Sequence, residues 1–273
     1  MPLYQAIVLA IVQGLTEFLP VSSTGHLVLF PWLLGWKDPG LTFDVALHAG
    51  TLLAVVLYFW RMWVNMLLAA AGIGDSKDPE FHQKRRLFWL LVVGTIPGAF
   101  AGYIFEKAAE SELRTPVVIA VALIVVALAM WAGEAATRDY KPLMKVNLPD
   151  AIVVGIAQAF AVIPGVSRSG STMTAGLFRN MKRETAARFS FLLSAPIIAG
   201  AVLLKAVEVH HHGGLPPAMQ KPFLAGIIVS AIVGIFVIGW LIRYLERRTF
   251  KVFVIYRIAL GVVVLVIGLG LHR

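Results

Sequence analysis

Six stretches of this chain are apolar over roughly the length of a membrane-crossing helix, and no feature constrains its fold more. They run approximately over Phe43 to Trp60, Leu87 to Phe105, Pro116 to Trp131, Ala186 to Leu204, Phe223 to Ile242 and Val252 to Leu271. A helix needs about 20 mostly apolar residues to cross a hydrocarbon core roughly 30 Å thick. Composition agrees: 59% of the 273 residues are hydrophobic and 14% charged, where a soluble domain carries about 25% charged residues. A soluble enzyme, a disordered linker and a secreted disulfide scaffold are all poor fits. The absence of Cys removes thiolate nucleophiles and Cys-ligated metals. A net charge of +9 would suggest nucleic acid in a soluble protein; in a membrane protein it reports topology.

Two further apolar stretches, Leu3 to Leu19 and Leu148 to Ile163, are too short to span, and each runs into a Pro followed by Ser, Thr and Gly. After the first cluster His26 to Trp36 is apolar again; after the second, Met173 to Phe178. Each unit reads as helix, polar tip, helix, entering and leaving on one side. Non-helical backbone at membrane depth survives only when buried in protein or lining a water-filled cavity, so polar tips imply such a cavity.

The two units are copies. A shift of 145 aligns Leu3 with Leu148, Ala6 with Ala151, Ile11 with Ile156 and, most informatively, Gln13 with Gln158. Pro20-Val-Ser-Ser-Thr-Gly25 then matches Pro164-Gly-Val-Ser-Arg-Ser-Gly170 after a one-residue insertion. Three spans lie between the copies, so the second enters from the opposite face. The expected fold is an all-α integral membrane protein with six transmembrane helices and two re-entrant helical hairpins in an inverted-topology repeat. It forms a single membrane domain over 1–273: repeat one covers 1–133 with its hairpin at 3–36, repeat two covers 148–273 with its hairpin at 148–179. Paired interruptions in corresponding positions point to a binding site near the midplane.

Counting positive charges sets the orientation. Of 24 Lys and Arg, six (Lys37, Lys107, Arg114, Lys205, Lys221 and Arg273) fall on the side of the termini, and sixteen on the other. The positive-inside rule places the sixteen in the cytoplasm and both termini outside.

The remaining two, Arg168 and Arg257, lie within membrane-embedded segments. An intramembrane arginine is functional by default. Arg257, near the start of the last span, is expected to snorkel to the membrane edge or to pair with a carboxylate. Arg168 sits among Ser167, Ser169, Gly170, Ser171 and Thr172 just before an apolar helix. A planar guanidinium beside hydroxyls and helix N–H groups is a phosphate receptor. At the first tip, Gln13 and Glu17 are four apart and share a helix face directed at the segment from Pro20 to His26. A divalent cation, Arg168 or a proton would each relieve the burial of Glu17. His26 follows Ser22-Ser23-Thr24-Gly25 and is able to exchange a proton near neutral pH. Ser23 alone reads as a helix cap; with Glu17, His26 and an opposing Arg168 it completes a set suited to phosphoryl transfer. His48 is read as a packed or interfacial histidine, His210 to His212 as an external loop, and Glu184 with Arg188 as an exposed pair.

Glu17-Phe-Leu-Pro-Val-Ser-Ser-Thr-Gly-His26 and Pro164-Gly-Val-Ser-Arg-Ser-Gly-Ser-Thr172 strongly resemble the motifs of the bacterial undecaprenyl-diphosphate phosphatase family, the bacitracin-resistance (BacA/UppP) proteins. The resemblance covers the whole chain. It implies hydrolysis of undecaprenyl diphosphate to undecaprenyl phosphate and inorganic phosphate, recycling the lipid carrier for peptidoglycan synthesis at the bacterial cytoplasmic (inner) membrane. By matching positions it implies a site of Glu17, Ser23, His26 and Arg168, with Ser22, Thr24, Ser167, Ser169 and Thr172 at the phosphate and Gln13 in support. It also implies Mg²⁺ or Ca²⁺ dependence, with Glu17 the metal-binding candidate, and a site open to the periplasm. The family's acidic motif is Glu or Gln, three residues, then Glu; this chain has Gln13, so Glu17 is the sole carboxylate of the pair.

On this reading Arg168 and the second tip hold the diphosphate, Ser23 attacks, with His26 the alternative nucleophile, and Glu17 with His26 manages protons. The partners expected are the lipid substrate and the membrane, with a homodimer as an open alternative and no nucleic acid. A transporter or flippase of polyprenyl phosphate is the competing function, because inverted repeats with midplane tips also build transporters.

Overall fold

The computed structural model describes residues 1–110, 113–138 and 140–270; the last positions assigned to repeat two, Leu271 to Arg273, lie outside them. Six helices among them are long and apolar enough to cross a membrane: α3 (Leu41–Tyr58), α5 (Pro79–Glu110), α6 (Pro116–Ala136), α9 (Arg183–His211), α10 (Pro217–Leu245) and α11 (Lys251–Gly270). Each lies on an apolar stretch of the sequence. Their ends run further than hydropathy suggests: α5 starts at Pro79 and α9 at Arg183, each in the charged segment that precedes its apolar stretch. A proline at or near the first helical position explains the starts of α5, α6 and α10, since the missing N–H is one that a helix start leaves unpaired anyway.

The short apolar stretches become α1 (Leu3–Thr16) with α2 (Ser23–Leu34), and α7 (Leu148–Ala159) with α8 (Arg168–Phe178). None of the four reaches spanning length. A 3-10 turn at Phe160–Val162 completes the descent of α7. The sequence did not announce α4 (Trp60–Ala70), which follows α3 after a break at Phe59.

Packing crosses between the halves. α1 and α3 lie against α10, while α7 lies against α5. Small residues let backbones close: a Cβ on Gly155 of α7 would stand 2.5 Å from the Gly94 carbonyl of α5, and one on Gly50 of α3 would stand 2.0 Å from Ser230 Oγ of α10. In lipid, where helix association has little hydrophobic drive, such close approach supplies much of the packing energy. The start of α7 is fixed by charge and capping. Asn147 and Asp150 form a capping box, and the Asp150 carboxylate takes both Lys141 Nζ, at 2.8 Å, and Arg179 Nε, at 2.8 Å.

The tips correct one detail of the repeat. Ser22 and Ser167, 145 positions apart, have the same left-handed φ (78° and 71°), and each accepts a hydrogen bond from the N–H three residues on, Gly25 and Gly170. The register of 145 therefore runs through the tips without an insertion; the two prolines are displaced relative to each other. These two serines are also the caps, so Ser23 is the first residue of α2 and not its cap.

Candidate active site

Glu17 follows the last turn of α1 and is 4% exposed. Its carboxylate gathers residues from four elements. Oε2 accepts from Gln13 Nε2 at 3.1 Å and from Ser23 Oγ at 2.5 Å, and faces His48 Nε2 of α3 at 3.3 Å. Oε1 receives Arg168 at 2.6 Å, a bond 151 positions long in sequence. Of the three partners expected for Glu17, the guanidinium is the one the structure supplies.

Of the predicted set, Gln13, Glu17, Ser23 and Arg168 come together. Ser167 caps α8. Ser169 Oγ donates to the Leu19 carbonyl at 3.1 Å and so ties the second tip to the first. Thr172 Oγ1 donates to the Arg168 carbonyl at 2.7 Å and meets Ser190 Oγ of α9 at 2.6 Å. Thr24 is half-buried at the start of α2. The first N–H groups of α2 and of α8, at Ser23 and Thr24 and at Arg168 and Ser169, have no carbonyl behind them, as at any helix start. Two helix N-termini thus bring free donors and partial positive charge to one place.

His26 is not beside Glu17. Its Nδ1 bonds the Ser22 carbonyl at 2.7 Å and its Nε2 meets the Tyr256 hydroxyl at 2.7 Å, with the two rings stacked at 5.8 Å. It fastens α2 to α11. The histidine at the carboxylate is His48, which sequence reasoning set aside. Its Nδ1 bonds the Asp44 carbonyl at 2.7 Å while Nε2 faces Glu17, so both ring nitrogens look at acceptor oxygens and the pair needs a proton between them. The only sequence signal was a histidine about two turns into a helix whose facing residue was unknown.

Arg257 corrects both readings given to it. It does not snorkel, and among the described residues it pairs with no carboxylate. Wholly buried, it donates to the carbonyls of Pro20 at 3.0 Å, Gly165 at 2.9 Å and Val166 at 3.1 Å, and to Leu123 of α6 at 3.1 Å. One side chain thus holds both tips. Glu184 and Arg188 form no ion pair among the described residues.

The donor set does not fit a resident divalent ion. Both Glu17 oxygens are committed to hydrogen-bond donors, one of them a guanidinium, and no group of three His, Asp or Glu among the described residues is placed to hold a metal.

What the fold and site define is a multi-pass helical membrane protein that brings a hydroxyl, a carboxylate and a guanidinium together where two non-spanning helical hairpins meet. The chain belongs to the family described as bacitracin resistance protein BacA, whose model matches residues 6–263. It is 51% identical over 267 residues to an undecaprenyl-diphosphatase of Moorella thermoacetica, covering 98% of each chain. Proteins of the same description from Pelotomaculum thermopropionicum and Desulforudis audaxviator are 46% and 47% identical, each with at least 97% of both chains covered.

Proposed function

We propose that the Glu17, Ser23 and Arg168 cluster is where this chain hydrolyses undecaprenyl diphosphate to undecaprenyl phosphate and inorganic phosphate, with Ser23 as the nucleophile. The protein is a membrane hydrolase of the lipid-carrier cycle of cell-wall synthesis, and bacitracin resistance follows from the same reaction. The observation that carries the assignment of roles is the 2.5 Å contact from Ser23 Oγ to Glu17 Oε2.

Ser23 Oγ attacks the terminal phosphorus as its proton passes to Glu17. The Oγ–P bond forms, and the bond from phosphorus to the bridging oxygen breaks. The electron pair stays on that oxygen, and undecaprenyl phosphate leaves. Glu17 hands the proton from Ser23 to the departing phosphate oxygen; the freed carboxylate then takes a proton from water as it attacks, and returns it to Ser23 Oγ as phosphate is released. Arg168, Thr24 and the free N–H groups of α2 and α8 receive the charge that builds on the phosphoryl oxygens. Ser22 and Ser167 shape the two tips, Ser169 ties the second tip to the first through the Leu19 carbonyl, and Thr172 anchors α8 to α9 through Ser190. His48 supports Glu17 and shares its proton; His26 positions the first tip through Tyr256. Gln13 Oε1, buried with no hydrogen-bond partner among the described residues, would accept from the attacking water.

We read the two hairpins as re-entrant and the chain as an inverted repeat, supported by the matched serines and by the packing of each hairpin on a span of the other half. The site opens on the side of the termini, the periplasmic side of the bacterial inner membrane, by the lysine and arginine bias. Mg²⁺ or Ca²⁺, which the family resemblance implies, would neutralise charge on the diphosphate and not be held by a protein ligand set, since both Glu17 oxygens already accept hydrogen bonds. Glu17, Ser23 and Arg168 come from one chain, so the catalytic unit is the single chain, whether or not it forms a homodimer.

Phosphate release by purified protein in detergent tests the reaction, and acid-quenched trapping tests the nucleophile. Ser23→Ala is expected to lower kcat on the order of 10³-fold or more, and the trapped phosphate to map to Ser23; a phosphate on His26 overturns the assignment. His48→Gln, which keeps an N–H toward Glu17, retains more activity than His48→Ala.

A further inference from the structure

The geometry points to a second phosphate site, one that holds the headgroup of an anionic lipid on the lysine- and arginine-rich face of the molecule. Where α3 breaks at Phe59 and α4 begins, the chain leaves a cavity of about 340 Å³ lined by Tyr58, Trp60, Arg61, Asn65, Lys84 and Arg188, among others. It lies ten residues beyond His48 on α3, about 15 Å along the helix, and shares no residue with the hydrolytic cluster.

Its charges are not balanced from within. Lys84 is bound to Glu80 at 2.9 Å. Arg61 lies over the Trp60 ring, 5.3 Å from its centroid, and neither it nor Arg188 has a carboxylate within ion-pair distance among the described residues. The Tyr58 hydroxyl and the Asn65 amide likewise make no hydrogen bond to the described protein. Two unpaired guanidiniums with a phenol and an amide present almost only donors, and planar guanidiniums match the oxygens of a phosphate.

The neighbouring surface says what the phosphate is attached to. On the other side of Tyr58 a second cavity, about 640 Å³, runs along α10 and is lined by Ile235, Phe236, Gly239 and Trp240. A Cβ on Gly239 would stand 3.3 Å from the Tyr58 ring, so glycine lets the ring form the common wall. Phe236 and Trp240 are 74% and 52% exposed, on a helix long and apolar enough to cross a membrane. A cationic pocket that shares its Tyr58 wall with an aromatic groove at the end of a span fits an amphiphile: phosphate in the first, acyl chain in the second. Basic pockets between helices on the cytoplasmic side are the usual receptors of anionic headgroups.

Native mass spectrometry of the full-length protein in detergent tests this, with dioleoyl phosphatidylglycerol, dioleoyl phosphatidylcholine and inorganic phosphate as probes. Phosphatidylglycerol is expected to bind at least tenfold more tightly than the zwitterionic lipid. The double variant Arg61→Gln, Arg188→Gln is expected to erase that difference while keeping the wild-type melting temperature and phosphate release. Should that variant melt early, Phe236→Asp gives the second reading, weakening phosphatidylglycerol tenfold through the groove with the guanidiniums intact. Equal affinity for the two lipids, or unchanged phosphatidylglycerol binding in the folded variants, overturns the site. Displacement of the lipid by an equal concentration of inorganic phosphate overturns the lipid assignment in favour of free phosphate. None of these outcomes bears on hydrolysis at Ser23.

Discussion

Arg257 shows how much one side chain decides here. A guanidinium in a dry interior normally needs a carboxylate; this one is dispersed over backbone carbonyls from the first tip, the second tip and α6. Its charge is therefore not spent on a local anion and adds to the field at the start of α8, where a Cβ on Gly170 would stand 3.1 Å from its Nη1. A lysine has one nitrogen where the arginine has three and cannot span both tips. Arg257→Lys is expected to lower kcat by about 10²-fold, with a smaller change in KM, because the tips lose their mutual register and each misplaced catalytic group is felt in the transition state. Orphaned carbonyls cost about 1–3 kcal/mol each, so the melting temperature in detergent falls as well. Partial recovery of Arg257→Ala activity by added guanidinium separates a positioning role from simple loss of fold. The sequence marked Arg257 as embedded but not what it holds, since a carbonyl acceptor is present at every residue and leaves no signature. Arg168 was legible for the opposite reason: its neighbours Ser167, Ser169 and Thr172 differ chemically from the apolar background.

At the scale of the element, the tips depend on two serines in a conformation that serine rarely adopts. Ser22 and Ser167 have φ of 78° and 71°, a strain of about 1–3 kcal/mol each for a residue with a Cβ. The hydroxyl compensates by capping the helix that follows. Removing the cap while keeping the strain is worse than removing both, because glycine adopts positive φ freely. Ser167→Ala is expected to destabilise the protein by about 1 kcal/mol, and Ser167→Gly by less; thermal unfolding in detergent followed by tryptophan fluorescence gives the order. The same comparison at Ser22 should give the same order, and a reversal at either site would remove the strain argument there. A Ser-Ser-Thr-Gly run signals a helix start, but not which serine caps it, because the cap is chosen by where the chain turns. The break at Phe59 and the helix α4 were missed for a similar reason: both sides of the break are apolar, and hydropathy does not register a turn between two apolar segments.

For the whole molecule, the absence of cysteine makes the proposed orientation directly measurable. Lys37 and Lys145 are both exposed, one on each side of the expected topology. With a membrane-impermeant maleimide on intact cells, Lys37→Cys should be labelled and Lys145→Cys should be labelled only after lysis. The reverse pattern would overturn the orientation and, with it, the periplasmic placement of the site. The six spans and the two short hairpins were legible because each depends on a contiguous run of residues, whose transfer into lipid is a local sum over its own side chains. The likeness of the two hairpin sequences was legible because Gln13 and Gln158 recur at one spacing in a background where apolar identities mean little. The site's full membership was not. Glu17 meets Arg168 across 151 positions, His48 stands at the carboxylate in place of His26, and Arg257 closes on both tips. Those meetings are fixed by how closely α1, α7 and α11 pack on their neighbours, to within an ångström at positions such as Gly155. Sequence by itself determined which segments enter the membrane, because partitioning is additive along the chain. Tertiary structure alone decided which side chains face one another, because that depends on the rotation and spacing of helices far apart in sequence.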